Sequence, residues 1–315
     1  MFICCGDALV DLFCQPAASA GSVSLQGHVG GSPLNVAIGL SRFGNESAYL
    51  CKNSTDIMGK RIVEYLSSNN VNTDWVVPSE LNSTLAMIQT NADGSANYAF
   101  YTDNSADLSL QVSELPAEFP DAMQVLHFGS YSTAVDPTSK SLLTLAQRES
   151  GRMLVSYDPN IRPTIEPDSA IWRDKFAGFS TAADFIKASD EDIGLLFGPD
   201  KSFESFATDV LAAGASLVAI TEGSKGATLY SKSGDQARSK PISVSVKDTV
   251  GAGDTFQAAC LHWLNANGCV HAGELNTSEA SLQELADFAA TAAAITCTRH
   301  GADMPGLSDV LDALS

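Results

Sequence analysis

Gly251-Ala252-Gly253-Asp254 places two glycines, which leave a backbone open to an anion, directly before a carboxylate, which repels one. Upstream, Ile242 to Val246 alternates valine with serine and predicts a half-buried strand; downstream, Phe256-Gln257-Ala258-Ala259-Cys260-Leu261 suits a helix. A strand therefore runs into a glycine turn and then a helix. Gly251 and Gly253 carry no β-carbon, and the first amides of a helix point outward unpaired with the positive end of its dipole behind them. That is an anion site. An enzyme that holds a polyphosphate while deprotonating the hydroxyl that attacks it needs such a site and a carboxylate within a few ångströms. Taken alone, the four residues also fit a glycine turn with Asp254 as N-cap.

The elements that must position this loop can be read along the chain. Phe2 to Val10 predicts a first strand, with Asp7 and Asp11 on one side near its carboxyl end, where open α/β sheets bind ligands. Gly30-Gly31-Ser32-Pro33-Leu34-Asn35 opens a helix that stops at Gly44, with Ser32 as N-cap and Pro33 as first helical residue. Those roles do not account for the two glycines or for Asn35 in the first turn. Thr84 to Thr90 and Ala96 to Tyr101 alternate around Asn91-Ala92-Asp93-Gly94-Ser95 and predict a hairpin. Arg162, in Asp158-Pro159-Asn160-Ile161-Arg162-Pro163, can grip a phosphate or sugar oxygen with its planar fork, or pair with Asp158. His127 reads as a structural residue at a strand end. Asp190, Glu191 and Asp192 sit in the first turn of a further helix, a favourable place for acids.

Composition bounds the function. The chain has 315 residues, 44% of them hydrophobic, enough for a large core in one or two α/β domains. Its 18 Lys and Arg against 37 Asp and Glu give a formal charge of −19, which argues against nucleic acid and anionic membrane surfaces as partners. The seven cysteines form no Cys-x-x-Cys pair, so neither a disulfide framework nor a zinc site is expected. Met1 to Val10 lacks a basic start and reaches Asp7 quickly, so it reads as a strand and not a signal peptide. No apolar run approaches membrane-spanning length. A cytoplasmic protein is the expectation.

Asp248-Thr249-Val250-Gly251-Ala252-Gly253-Asp254-Thr255-Phe256 resembles the C-terminal signature of the ribokinase-like (PfkB) sugar kinases. Gly30-Gly31 followed by Asn35 and an apolar helix resembles their N-terminal signature, and Asp158-Pro159-Asn160 with Arg162-Pro163 is close to the fructokinase form. The resemblance covers essentially the whole chain. It implies the ribokinase-like α/β fold: a central, mostly parallel sheet with helices on both faces and a small β lid. Residues 1–315 are expected to form a single kinase domain, with lid segments at about 12–28 and 81–105.

The function implied is transfer of the γ-phosphoryl group of ATP to a primary hydroxyl of a ketose, D-fructose giving fructose 6-phosphate. Alternative acceptors are 2-keto-3-deoxygluconate, ribose or a nucleoside. A different class, a sugar-binding regulator built on an inactive kinase, is also open, although its usual mark is loss of the base. By resemblance, Asp254 is the catalytic base, and Gly251, Ala252 and Gly253 hold the transferring phosphoryl group. Asp11, Gly30, Gly31 and Asn35, with Tyr101 and Arg162, are expected on the sugar side. Lys187, Thr221, Gly223, Lys225 and Gly226 are expected on the ATP side, and Asp192 in the magnesium shell. ATP and Mg²⁺ are the implied ligands; some relatives also bind a monovalent cation such as K⁺, and a homodimer is compatible. The chain departs from the family at Thr102, where many fructokinases have arginine. It also has Ser189 and Asp192 in place of Asn-x-x-Glu, and no asparagine near Ala290.

Overall fold

Alternation along the strands sends side chains into two separate cores. In the first strand, β1 (Phe2–Cys5), Phe2 and Cys4 enter one hydrophobic cluster while Ile3 and Cys5 enter the other. Strands buried on both faces are expected of a parallel sheet covered by helices. The computed structural model describes residues 1–15, 19, 21–90, 96–240, 242–271 and 274–315. Its strands are β2 (Leu9–Gln15), β3 (Ser24–Gly30), β4 (Ser47–Ser54), β5 (Val71–Asn72), β6 (Val76–Ser79), β7 (Thr84–Thr90), β8 (Ala96–Tyr101), β9 (Val125–Gly129), β10 (Leu154–Asp158), β11 (Phe185–Ser189), β12 (Leu217–Thr221), β13 (Ala227–Ser231) and β14 (Gln236–Arg238). The helices are α1 (Ser32–Arg42), α2 (Ile57–Ser68), α3 (Thr138–Glu149), α4 (Ser169–Ser180), α5 (Asp190–Phe197), α6 (Phe203–Ala213), α7 (Ala252–Ala266), α8 (Glu279–Cys297) and α9 (Leu307–Leu314).

The main sheet runs β14-β13-β12-β11-β10-β9-β1-β4-β5, with β6 also on β4. It is parallel from β12 to β5, and the β12-β13-β14 end is antiparallel. Helices α1, α2, α7, α8 and α9 cover one face, and α3 to α6 the other. The order reverses at β1, which lies between β9 and β4, so the crevice at its carboxyl end is the expected ligand position. A second sheet, β3-β2-β7-β8, stands over that end. Its strands β7 and β8 coincide with the two alternating runs expected to form a hairpin; the turn Asn91 to Ser95 lies outside the described residues, as do residues 16–18 and 20 of the first lid segment.

Two local expectations are corrected. Ile242 to Val246 forms no strand, because among the described residues no strand pairs with it; Ile242, Ser243, Val244 and Val246 instead line the cleft described below. Asp7 and Asp11 do not share a face, because β1 ends at Cys5 and β2 starts afresh at Leu9. Asp7 is instead turned inward and 1% exposed. Its Oδ1 accepts only a long bond from the Ser132 amide, 3.4 Å, and its Oδ2 has no partner among the described residues. Asp107, also buried, accepts from Thr84 Oγ1 and Tyr131 Oη, each at 2.6 Å, and so ties the first residue of lid strand β7 to the body.

Burial, and then the Asp107 carboxylate, push the Asp7 carboxyl up to about 7. Its folded pKa lies above its unfolded one, so the native state holds a proton that the unfolded chain lacks, and stability falls as pH rises through that value. We expect Asp7 to contribute a loss of about 1–1.5 kcal/mol between pH 6 and pH 8. Melting curves of the wild type and Asp7→Asn across this range check it: the wild type should melt lower at pH 8, and the variant should lose much of that slope.

Candidate active site

The glycine turn is dictated by space as well as by conformation. Gly251 caps α7 in the left-handed region, φ 78°, and a β-carbon there would lie 2.6 Å from the Ala302 β-carbon. Helix α7 therefore starts at Ala252, and Asp254 is its third residue and not its cap. The Ala252 amide reaches Thr249 O at 3.3 Å, whereas the amides of Gly253 and Asp254 have no partner among the described residues. Free N–H groups at a positive helix start are suited to receiving an anion.

Asp254 is 8% exposed, and helix α1 holds it there. Ser32 Oγ donates to Asp254 Oδ1 at 2.6 Å, and Asn35 Nδ2 donates to Oδ2 at 2.8 Å. Ser32 is thus the first residue of α1 and not its cap; that place belongs to Gly31, whose φ of 121° and approach to Asp7 O leave no room for a side chain. A β-carbon on Gly39 would lie 2.8 Å from that of Ala258. Asn35 faces Asp254, and four residues later Gly39 faces Ala258. The two helices therefore run side by side and parallel, with both positive ends at the site.

Lys187 of β11 provides the buried cation. Its Nζ donates to Asp158 Oδ2 at 2.8 Å, with the side chains 5% and 1% exposed, and lies 3.2 Å from where a Gly253 β-carbon would stand. Burial opposes the ammonium, but the carboxylates of Asp158, Asp192 and Asp254 outweigh it and hold the Lys187 pKa above its ordinary value. Burial raises Asp158 to about 6, with Lys187 pulling the other way. Asp158 is therefore the partner of Lys187 and not of Arg162. Asp192 accepts from Ile161 N at 2.8 Å, Ser189 N at 2.9 Å and Ser189 Oγ at 2.6 Å, so three of its roughly four acceptor positions are in use. His127 lies within β9, buried, with Nδ1 3.2 Å from Ser156 Oγ; burial and Lys187 drop it to about 3, so its ring is neutral.

On the lid side, a β-carbon on Gly30 would lie 2.7 Å from Asp11 Oδ2, which accounts for the first glycine of the pair. Burial pushes Asp11 up to about 6, with the nearby Arg162 guanidinium drawing it back. Arg162 also donates to Ile161 O at 3.0 Å. Register joins Asp11 to Ala86 and Ala86 to Phe100, and residues opposite one another share a face of a sheet. Phe100 therefore shares the Asp11 face, and Tyr101, 62% exposed, takes the other.

A cleft of about 560 Å³ opens beside Gly253, and Thr221, Gly223 and Gly226 line it as expected. Lys225 is exposed and does not line it, because the short turn Gly223–Lys225 carries the side chain outward; Lys240 lines it instead. The wall away from the glycine loop is apolar, with Ala290, Ala293 and Ala294 of α8 facing Val244 and Val246. No group of three or more His, Cys, Asp or Glu fit to hold a metal occurs among the described residues.

Because Gly39 sets the spacing of α1 and α7, Gly39→Ala should force the helices apart. We expect a loss of about 1–3 kcal/mol, the usual range for overpacking, together with lower turnover as Ser32 and Asn35 withdraw from Asp254. Thermal melts and kinetics on the same preparation check this.

Comparison with known proteins agrees with this geometry. The chain is 34% identical over 262 residues to a fructokinase of Rhizobium leguminosarum bv. trifolii, covering 83% of this chain and 78% of the relative. Its fold is similar to that of a fructokinase from Xylella fastidiosa with bound ATP, with a TM-score of 0.87 at 23% identity over 99% of this chain and 97% of that one. A fructokinase double mutant from Vibrio cholerae O395, in its fructose, ADP and potassium ion bound form, gives a TM-score of 0.83 at 24% identity over 100% and 98%. The fold is thus the ribokinase-like α/β fold, and with residues 3–308 matching the pfkB family carbohydrate kinase profile, the chain belongs to the pfkB family of carbohydrate kinases.

Proposed function

We propose that the chain transfers the γ-phosphoryl group of ATP to a primary hydroxyl of a ketose, with D-fructose giving fructose 6-phosphate. The observation that carries this reading is the Asp254 carboxylate held beside the free amides of Gly253 and Asp254 and the Lys187 ammonium. Asp254 accepts the proton of the sugar hydroxyl as its oxygen bonds to the γ-phosphorus, and the bond to the β-phosphate oxygen breaks with its electron pair leaving on ADP. Phosphoryl transfer relies mainly on positioning and charge stabilisation, so a carboxylate suffices as base. Gly251, Ala252 and Gly253 receive the phosphoryl oxygens, and Lys187 moves its charge from Asp158 towards them. The cleft lined by Thr221, Gly223, Gly226 and Lys240 takes the rest of the nucleotide. The unpartnered Asp158 Oδ1 and the remaining acceptor position of Asp192 fit the hydrated rim of a magnesium ion. Bound with ATP, Mg²⁺ supplies charge neutralisation at the β- and γ-oxygens. A potassium ion is a further ligand on this reading, by analogy with the Vibrio cholerae relative.

Asp11 orients the sugar by accepting from neighbouring hydroxyls, its carboxylate standing where Gly30 carries no side chain. The neutral acceptor is favoured over 2-keto-3-deoxygluconate by one observation: the Arg162 charge acts on Asp11, so it is already partly offset there and less able to receive a substrate carboxylate. The fructokinase names of relatives at 30–34% identity support the same choice. Seven free cysteines fit a reducing, cytoplasmic setting, and among the described residues no helix is long and apolar enough to cross a membrane.

Turnover with Mg·ATP should be highest with fructose in a panel that includes 2-keto-3-deoxygluconate, ribose and adenosine. Asp254→Asn should lower it at least a thousandfold while the sugar still binds. Turnover confined to another acceptor would move the substrate and keep the mechanism; sugar binding without any turnover would replace the kinase with a binding protein. Since Asp11 must be ionised to accept two hydroxyls, kcat/KM for the sugar should fall as pH drops through about 6. In Asp11→Asn it should be low throughout and without that limb.

A further inference from the structure

Ser32 has no structural reason to be a serine. Gly31 is the cap of α1, and the Ser32 hydroxyl makes no capping bond. Its backbone position is fixed by Gly31 on one side and on the other by Pro33, whose ring lies 2.7 Å from where a Gly6 β-carbon would stand. The residue is 7% exposed, so its hydroxyl must find a partner or lose its hydration without return. Its one partner among the described residues is Asp254 Oδ1, at 2.6 Å across 222 residues of sequence.

Resting on the kinase reading above, we propose that Ser32 is a positioning residue for the base and fixes the direction in which its carboxylate meets the sugar hydroxyl. Ser32 and Asn35, first and fourth residues of α1, lie one turn apart on one face of the helix, and each donates to a different oxygen of the same carboxylate. Two donors on two oxygens stop the carboxylate from rotating about its last bond. Each oxygen keeps one lone pair, so the sugar hydroxyl meets an acceptor of fixed direction. Asn35 is also expected on the sugar side, whereas the Ser32 hydroxyl has Asp254 as its one hydrogen-bond partner among the described residues. The two roles can therefore be separated.

The test is Ser32→Ala, with Ser32→Thr, Asp254→Asn and wild type alongside, measuring kcat and the dissociation constants of fructose and ATP. A bond to a charged group is worth about 10- to 100-fold. We expect kcat of Ser32→Ala to drop by that factor with both dissociation constants unchanged. Ser32→Thr, which keeps a hydroxyl, should return kcat towards that of the wild type. If Ser32→Ala merely melts at a lower temperature, with kcat within twofold of wild type, the hydroxyl is only packing and the proposal falls. If the wild type shows no turnover, the kinase reading falls before it; if Asp254→Asn is as active as an active wild type, Asp254 is not the base and the proposal falls with that role. An inactive Asp254→Asn beside a fully active Ser32→Ala overturns this proposal alone.

Discussion

A carboxylate beside an anion site is electrostatically unfavourable, and the arrangement of this molecule follows from making it tolerable. Asp254 sits in the first turn of α7, whose free amides draw in negative charge. Ser32 and Asn35 each offset part of its charge by donating to it, and Lys187 stands behind Gly253. None of these partners is near Asp254 in sequence. They meet because α1 and α7 pack in parallel, and they pack closely because Gly39 presents no side chain to Ala258.

Charge is managed locally in a chain whose formal charge is −19. The Lys187–Asp158 pair is buried, and a buried pair is weak support for stability because both ions have lost their water. Asp158 ends β10 and Lys187 lies within β11, with its Nζ beside the glycine turn. On the proposed function, the pair keeps an ammonium where a phosphoryl group would arrive. Asp192 contributes from further back, with most of its acceptors committed to the start of α5 and to the Ile161 amide.

The lid and the body are joined through buried polar groups and not only through packing. Asp107 holds both Thr84, at the base of β7, and Tyr131, behind β9. Asp11 stands one row further along the lid, next to Arg162. On the proposed function, movement of this sheet would move Asp11, on the sugar side, while Asp254 stays with the helix layer. Excluding water by such closure protects the phosphoryl group from hydrolysis.

Much of this was legible in the residues. The lid hairpin followed from strict alternation around Asp93-Gly94, and the anion site from two glycines before a helix, because both are local in origin. Local signals failed where a neighbour was decisive. Ile242 to Val246 alternates as a strand should, yet a strand needs a partner and finds none. Tyr101 and Phe100 are equivalent in sequence, and only register with Ala86 sends one to the face of Asp11 and the other to solvent. Arg162 is close to Asp158 along the chain, but it is Lys187, on the adjacent strand, that reaches it. The sequence by itself determined the reactive groups, their motifs and the order of elements, since these depend on residue type and on spacing within a few turns. The tertiary structure alone decided the partners of each charge: Ser32 on Asp254, Lys187 on Asp158, Lys240 rather than Lys225 at the cleft. Such pairings depend on directions and distances across the fold, which one residue of register or one missing β-carbon can change.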